Sequence, residues 1–472
     1  EQKIAAPKIT PIVTNRDSQS EFLSEIQTSQ VQPIEPVFVD YKKDMSQFEA
    51  QPGIDVLYKK NETNDIFTLI YVFNTGTEND PALNLAFNYL SYLGTDKMTA
   101  EEIASEMYDI ACSFYMNAGA NQSSIQITGL SENMGKAMEI VEGLIAGAKP
   151  DEAILENCKA DMLKSRADAK LNQSRCFGAL QRYLFYGGDF IRRTTLTDPA
   201  LQALTSEQLL AKIGGLMGKQ HEVLYYGPQK EAEVKSALAE HHKVATDLQP
   251  LEKKFSTLLP TDANKVVLAQ YDAKQLYYLQ FSNRGEKFDV AADPEITLYN
   301  EYFGGGMNSV VFQEMREARG LAYTAQASIM QPNYADTKYG YMAFIATQND
   351  KMQMAIEAFD EIINNMPESE TAFKIAKEGL ISRLRTDRTV KEQVLWSFIG
   401  LRNLGLEEDR DKQIFEKVQA MTLADVKAAQ EKWVKNRKYV YGILGDIQDL
   451  DLNYLKTLGP IRTVSQEEIF GY

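Results

Sequence analysis

The densest chemistry in this 472-residue chain lies in one stretch. It is Tyr302-Phe303-Gly304-Gly305-Gly306-Met307-Asn308-Ser309, running on to Phe312-Gln313-Glu314-Met315-Arg316-Glu317-Ala318-Arg319-Gly320-Leu321-Ala322-Tyr323-Thr324. A glycine triplet leads into a helix. The helix carries arginine, stops at Gly320 in the position past its end that glycine favours, and hands over to a strand with Tyr323 near its start. One chemistry open to such a segment is anion binding, because a glycine-rich turn at a helix N-terminus aims backbone N–H groups at the ligand. However, GGGMNS lacks the GK[ST] ending of a phosphate loop and the GxGxxG of a dinucleotide fold. The residues favour a structural reading instead: glycines let the helix start tightly against a neighbour, with Asn308 or Ser309 as its N-cap.

Other chemistry-bearing residues are sparse. The three histidines are His221, His241 and His242, and none stands in an HxxEH or HExxH arrangement. The pair His241-His242 sits in the polar run AEHHKV and reads as a solvated helix end, since adjacent residues diverge around a helix. Cys112, Cys158 and Cys176 are widely spaced, with no CxxC. They read as small core residues rather than a disulfide framework. No GxSxG and no Cys/His arrangement of known spacing is present.

The elements that must position these residues follow from periodicity. Ile66–Phe73 (IFTLIYVF) has the β-branched and aromatic content of a buried strand. Helical spacing follows over Pro81–Leu93, and Thr99 with Glu102 opens another helix as a capping box. Ser113–Ala120 and Ser124–Thr128 read as paired strands, Asn133–Ala146 as a helix, and Asp151–Phe185 as a long helical region. The order then repeats: Leu276–Phe281 as strand, Glu295–Phe303 and Asn308–Arg319 as helices, Ala322–Met330 and Tyr339–Thr347 as strands. Lys351–Asn365 and the run Glu368–Leu404 are helical. Val223–Tyr226 and Tyr439–Leu444 are expected to close the two sheets. ITGLSENMGKAMEIVEGLI matches FIATQNDKMQMAIEAFDEII at the same point of each unit, which reads as an internal duplication of about 200 residues, longer than solenoid repeats. Two similar α+β domains follow, over 37–250 and 251–472, with a boundary near Gln249–Asp262. Residues 1–36, with spaced prolines and no sustained period, read as an irregular linker-like arm. The chain opens at Glu1 without an initiator methionine, so processing or excision from something longer is expected.

Composition bounds the function. The chain is 44% apolar and 25% charged, with a net charge of -16, the profile of a soluble globular protein. That charge argues against a nucleic-acid partner, which needs a basic surface. The longest apolar run is strand-length, well short of the ~20 residues of a membrane span.

YFGGGMNSVVFQEMREARGLAYTAQAS resembles the segment near the start of the C-terminal domain in the pitrilysin/insulinase/mitochondrial-processing-peptidase family of inverted zinc metallopeptidases. The similarity extends from about Pro36 to Asn453. In the first unit, TGTENDPALNLAFNYLSYLGTDKMTAEEIASEM resembles the family's segment around its zinc motif. The resemblance implies four homologous α+β domains, two per half, closing over a chamber. Each domain is a mixed, antiparallel-rich sheet with helices packed on it. Zinc is implied in the N-terminal half, on HxxEH plus a downstream glutamate. Here the corresponding positions read Leu85-Ala86-Phe87-Asn88-Tyr89-Leu90-Ser91-Tyr92-Leu93, with no ligand among them.

What the family keeps in its C-terminal half is an arginine and a tyrosine seven positions apart, matched by Arg316 and Tyr323. The resemblance implies that they hold substrate: the guanidinium donates to a peptide carbonyl, and the phenol donates to the oxygen that becomes negative. Gly304, Gly305, Gly306, Asn308 and Gly320 would support that site. The expectation is a C-terminal, substrate-binding half of a zinc metalloendopeptidase, inactive and metal-free alone. Its partners would be a peptide or small protein substrate and a zinc-bearing half, in the same longer chain or a separate subunit. The alternative is a non-catalytic peptide-binding or assembly subunit. Family habit implies a periplasmic or exported location.

Overall fold

A computed structural model describes residues 20–251 and 256–472. Its strands form two six-stranded sheets. The first contains β1 (Ser46–Gln51), β2 (Ile54–Lys60), β3 (Ile66–Phe73), β4 (Cys112–Ala118), β5 (Ser123–Leu130) and β6 (His221–Gly227), in the order β1-β2-β6-β3-β5-β4. The second contains β7 (Lys265–Gln270), β8 (Gln275–Ser282), β9 (Thr324–Met330), β10 (Gly340–Gln348), β11 (Val440–Gly445) and β12 (Ile461–Val464), in the order β12-β7-β11-β8-β10-β9. Five neighbours run in the same sequence in both, so β2, β6, β3, β5 and β4 correspond to β7, β11, β8, β10 and β9. Both sheets are mixed: β2 lies parallel to β6 and β7 parallel to β11, whereas β3 and β8 pair only antiparallel.

The helices of the first unit are α2 (Leu83–Leu90), α3 (Ala100–Asp109), α4 (Met134–Gly147), α5 (Glu152–Lys170), α6 (Gln173–Thr194), α7 (Asp198–Gln202), α8 (Ser206–Leu216) and α9 (Glu231–His241), preceded by α1 (Glu21–Thr28). Those that follow include α10 (Asp293–Phe303), α11 (Val310–Phe312), α12 (Met352–Asn364), α13 (Glu370–Thr386) and α14 (Gln393–Asn403), with four short helices after residue 409. Helix α11 widens into a π-turn over Gln313–Ala318.

Side-chain alternation along β3 decides which core each face joins. Phe67, Leu69, Tyr71 and Phe73 face α2, α4 and α8 of their own unit. Ile70 and Val72 face the other way, where they meet Leu57, Leu224 and, from α14, Val394, Leu395 and Ile399. The second sheet mirrors this. Tyr278 joins the core under α10 and α12, while Val267, Leu279, Phe281, Val440 and Leu444 pack against Cys176, Leu180, Leu184 and Phe185 of α6. Each sheet is therefore roofed on one face by a helix from the other unit. Gly442 makes the second contact close: a Cβ there would stand 2.2 Å from Leu184 Cδ1. Arg402 of α14 adds a bidentate pair to Glu222 of β6, at 2.7 Å for both bonds.

Several expectations need correction. Within the linker-like arm, residues 21–28 form α1, capped by the Ser20 hydroxyl, which accepts from the Leu23 N–H; its eight residues are too few for a period to stand out. Residues 1–19 lie outside the described residues, as do 252–255 in the expected boundary region. Strands β6 and β11 do not close their sheets but sit between β2 and β3 and between β7 and β8. The long helical region divides at Leu171-Asn172, where the Asn172 side chain caps α6. The run Glu368–Leu404 divides similarly between α13 and α14. The capping box at Thr99 and Glu102 is present in both directions. The three cysteines are buried and unpaired.

Candidate functional site

Ser309, the second of the two residues read as N-cap, accepts a hydrogen bond from the Phe312 N–H at 3.4 Å and starts α11; Asn308 is exposed. Gly304 follows α10 and lies against β9, where a Cβ would come within 1.8 Å of the Ala327 carbonyl oxygen. At Gly305 a Cβ would meet the Asn300 carbonyl oxygen at 2.9 Å, while Gly306 faces open space. Asn300 reinforces the contact: its side chain accepts from the Ile329 N–H at 2.8 Å and donates to the Ile329 carbonyl at 3.0 Å. The triplet thus lets α10 run against the edge strand of the sheet and turn without a side chain between them. Gly320, with φ +59°, reverses the chain in the left-handed region. Tyr323 follows, its N–H donating to the Ala346 carbonyl at 3.3 Å.

This route brings Arg316 and Tyr323 together. The Arg316 guanidinium carbon lies 5.1 Å from the Tyr323 ring centroid and 5.0 Å from that of Phe312. Tyr323 is 72% exposed, with its hydroxyl free of any hydrogen bond among the described residues. Among the described residues Arg316 has one loose ion pair, to Glu317 at 3.6 Å. The neighbouring Arg319 is more fully engaged, with Glu361 at 2.7 Å and Glu314 at 3.5 Å. Its hydrogen bond to Glu361 raises the Arg319 pKa and lowers that of Glu361. Arg316 therefore presents a positive charge between two ring faces, beside a solvent-facing phenol. Phe312 was not singled out from the sequence. The signal for it is its spacing, since residues four apart on a helix are neighbours.

The positions expected of the zinc motif lie on α2 and just beyond. Leu85, Ala86, Phe87, Tyr89 and Leu90 are buried in the first core. Tyr89 is fixed by hydrogen bonds to Ser206 Oγ at 2.9 Å and the Asp151 N–H at 2.9 Å. An apolar helix face packed this way does not fit a metal. Among the described residues no group of three or more His, Cys, Asp or Glu side chains is arranged to hold one, and no helix is long and apolar enough to cross a membrane.

The histidines required correction. His242 is not solvated but 5% exposed. Its Nε2 lies 2.8 Å from His221 Nε2, and its Nδ1 lies 2.6 Å from Glu142 Oε1. Residue 242 comes just after α9 ends, so the chain turns inward there instead of continuing as a solvent-facing helix.

Comparisons with known proteins bear on the fold that carries these residues. The description "Peptidase M16 inactive domain" matches residues 220–380. An uncharacterized zinc protease of Streptomyces coelicolor is 22% identical over 263 residues, covering 52% of this chain and 55% of the relative. The chain thus spans little more than half the length of that relative. Among solved structures, the peptidase M16 inactive domain from Pseudomonas fluorescens superposes with a TM-score of 0.67 at 16% identity, covering 85% of this chain and 98% of that one. The periplasmic protease PqqL from Escherichia coli gives a TM-score of 0.65 at 13% identity, covering 94% of this chain but 49% of the protease. Residues 220–380 thus match the M16 inactive-domain family, and the chain has the fold of M16 inactive-domain structures.

Proposed function

We propose that the chain is the C-terminal, substrate-binding half of a zinc metalloendopeptidase, with zinc and the water-activating glutamate supplied by an HxxEH half in a longer chain or a partner subunit. The observation that carries this reading is the meeting of Arg316 and Tyr323 on one surface. In the proposed role, the guanidinium donates to a substrate carbonyl and the Tyr323 hydroxyl donates to the oxygen on which negative charge develops, an interaction stronger in the transition state than in the ground state. Gly304, Gly305, Gly306, Asn308 and Gly320 serve by setting the path between α10 and β9. The division of the chain into units 37–250 and 251–472 belongs to the same reading. The chain's fold covers 49% of the protease PqqL, a span in keeping with one half of such an enzyme.

The test is complementation. The chain is combined with the zinc-bearing half encoded beside or before it, and hydrolysis of a fluorogenic peptide library is followed. Activity should appear only in the mixture, and Tyr323→Phe should lower kcat by about 10- to 100-fold, the loss of roughly one transition-state hydrogen bond. If Tyr323→Phe and Arg316→Ala both left kcat/KM unchanged, the alternative would stand: a non-catalytic peptide-binding or assembly subunit that has no use for the pair.

A further inference from the structure

The other unusual chemistry is buried in the first unit, on residues drawn from four segments. Tyr71 of β3 donates its hydroxyl to Glu142 Oε1 of α4 at 2.8 Å. Glu142 Oε1 also meets His242 Nδ1, and its Oε2 accepts the Lys243 N–H. His242 Nε2 meets Nε2 of His221, the first residue of β6, whose Nδ1 lies 2.7 Å from the Lys219 carbonyl. Tyr71, Glu142, His221 and His242 are all more than nine-tenths buried.

The protons in this chain can be counted. A carbonyl only accepts, so His221 Nδ1 carries a hydrogen, and a neutral His221 then leaves Nε2 bare as an acceptor. His242 Nε2 must donate to it. One further proton lies between His242 Nδ1 and Glu142; because Glu142 also accepts from the Tyr71 hydroxyl and the Lys243 N–H, which favour a carboxylate, that proton is assigned to the ring, giving an imidazolium–carboxylate pair with its hydrogen bonds satisfied. The arrangement has no room for another proton on His221, since two N–H groups would then face each other across 2.8 Å.

We propose that Tyr71, Glu142, His242 and His221 form an acid-sensitive latch that fastens the start of the segment joining the two sheets and lets go when His221 takes up a proton. Glu142 grips both the His242 ring and the Lys243 N–H, immediately where α9 ends and the chain leaves for β7. Beyond the latch the segment is held by backbone bonds, from Gln249 N–H to Gly218 and Gln220 N–H to Gln249, and by Leu248, buried in the first core with Val244 packed against it. The charged surroundings of His221 are few. Glu142 and His242 face it within the core. Its strand neighbour Glu222 is occupied by Arg402 of α14. Glu139 and Glu240 pair with His241, and not with the buried ring. Burial, then the neighbouring His242, hold the His221 pKa down, from the ordinary 6.5 to about 4. The sign follows: the folded chain resists a proton that the unfolded chain accepts. The latch is therefore at full strength above pH 6.5, weakens as pH falls, and has finished weakening near pH 4.

Two measurements on the whole chain test this. Histidine side-chain ¹⁵N shifts at pH 7 should show His242 as imidazolium and His221 as the neutral Nδ1–H tautomer; two neutral rings would overturn the proton count. Hydrogen exchange of the peptide covering 242–249, corrected for intrinsic rate, should quicken at least tenfold between pH 7 and pH 4.5. In His221→Gln, whose amide can accept from His242 and donate to Lys219 but cannot be protonated, that step should vanish. An equal acid step in wild type and His221→Gln would contradict the latch. Should His221→Gln fail to fold, the same comparison is made with Glu142→Gln, which should already exchange rapidly at pH 7; unchanged protection there would also contradict it.

Discussion

Arg316 and Tyr323, seven residues apart across a helix end and a glycine reversal, lie face to face with the guanidinium carbon 5.1 Å from the ring centroid. Both are exposed, and the contact closes no core. A cation–π contact at such a site is worth about 0.5–1 kcal/mol. Tyr323→Phe keeps the ring, so it should leave the denaturation midpoint of the isolated chain within about 0.5 kcal/mol of wild type, and Arg316→Ala should fall within about 1 kcal/mol. A larger loss in urea unfolding would show that the pair serves stability rather than substrate.

The glycine triplet should divide sharply. Gly304→Ala drives a methyl into the Ala327 carbonyl and must separate α10 from β9. A loss of about 1–3 kcal/mol is expected, as for other overpacked sites. Gly306→Ala meets nothing within 4 Å and should be near neutral. Equal behaviour of the two variants would mean that the close approach at Gly304 does not exist.

Helices α6 and α14 each complete the other unit's core, so the two sheets should melt in one transition. Leu184→Ala, which removes α6 side-chain volume from the sheet containing Val440 and Phe281, should destabilise by about 2–5 kcal/mol. It should also shift the unfolding of both units together. Two separated transitions in calorimetry, only one of them moved, would refute the reciprocal roofing.

How far the sequence foretold this arrangement depended on the range of the interaction. Helices α4 and α12 were found as a matched pair because their apolar spacing is local. The pattern holds even at the ninth residue of each, Glu142 and Asp360, where an acid interrupts an apolar face. That interruption was the one available sign of the buried histidine chain, and AEHHKV by itself looked solvated. Strands β1 (SQFEAQ) and β12 (IRTV) are polar or short and went unseen, and the more apolar β2 (IDVLYKK) and β7 (KVVLAQ) were missed as well. The central places of β6 and β11 are fixed by pairing with strands far off in sequence, which no local period encodes. Tight packing at Gly304 was legible from the triplet, but not that its neighbour would be β9.

Asp360 offers a second pH-dependent prediction. Burial raises its pKa from 3.8 to about 6, against a hydrogen bond from Gln280. A raised carboxyl is favoured neutral in the fold, so its stabilising effect is complete below pH 3.8 and is lost as pH rises through 6. Asp360→Asn should therefore be more stable than wild type at pH 7.5 by about 1–3 kcal/mol, with the gain vanishing at pH 4. A gain independent of pH would show that ionisation of Asp360 is not its source.

The central claim is that this chain contributes substrate contacts to a peptidase whose zinc lies elsewhere. Elemental analysis and a fluorogenic peptide assay on the same purified sample test it most directly. The chain alone should carry no stoichiometric zinc and show no turnover, with chelator-sensitive turnover appearing once a zinc-bearing half is added. One zinc per chain together with chelator-sensitive cleavage by the chain alone would contradict it.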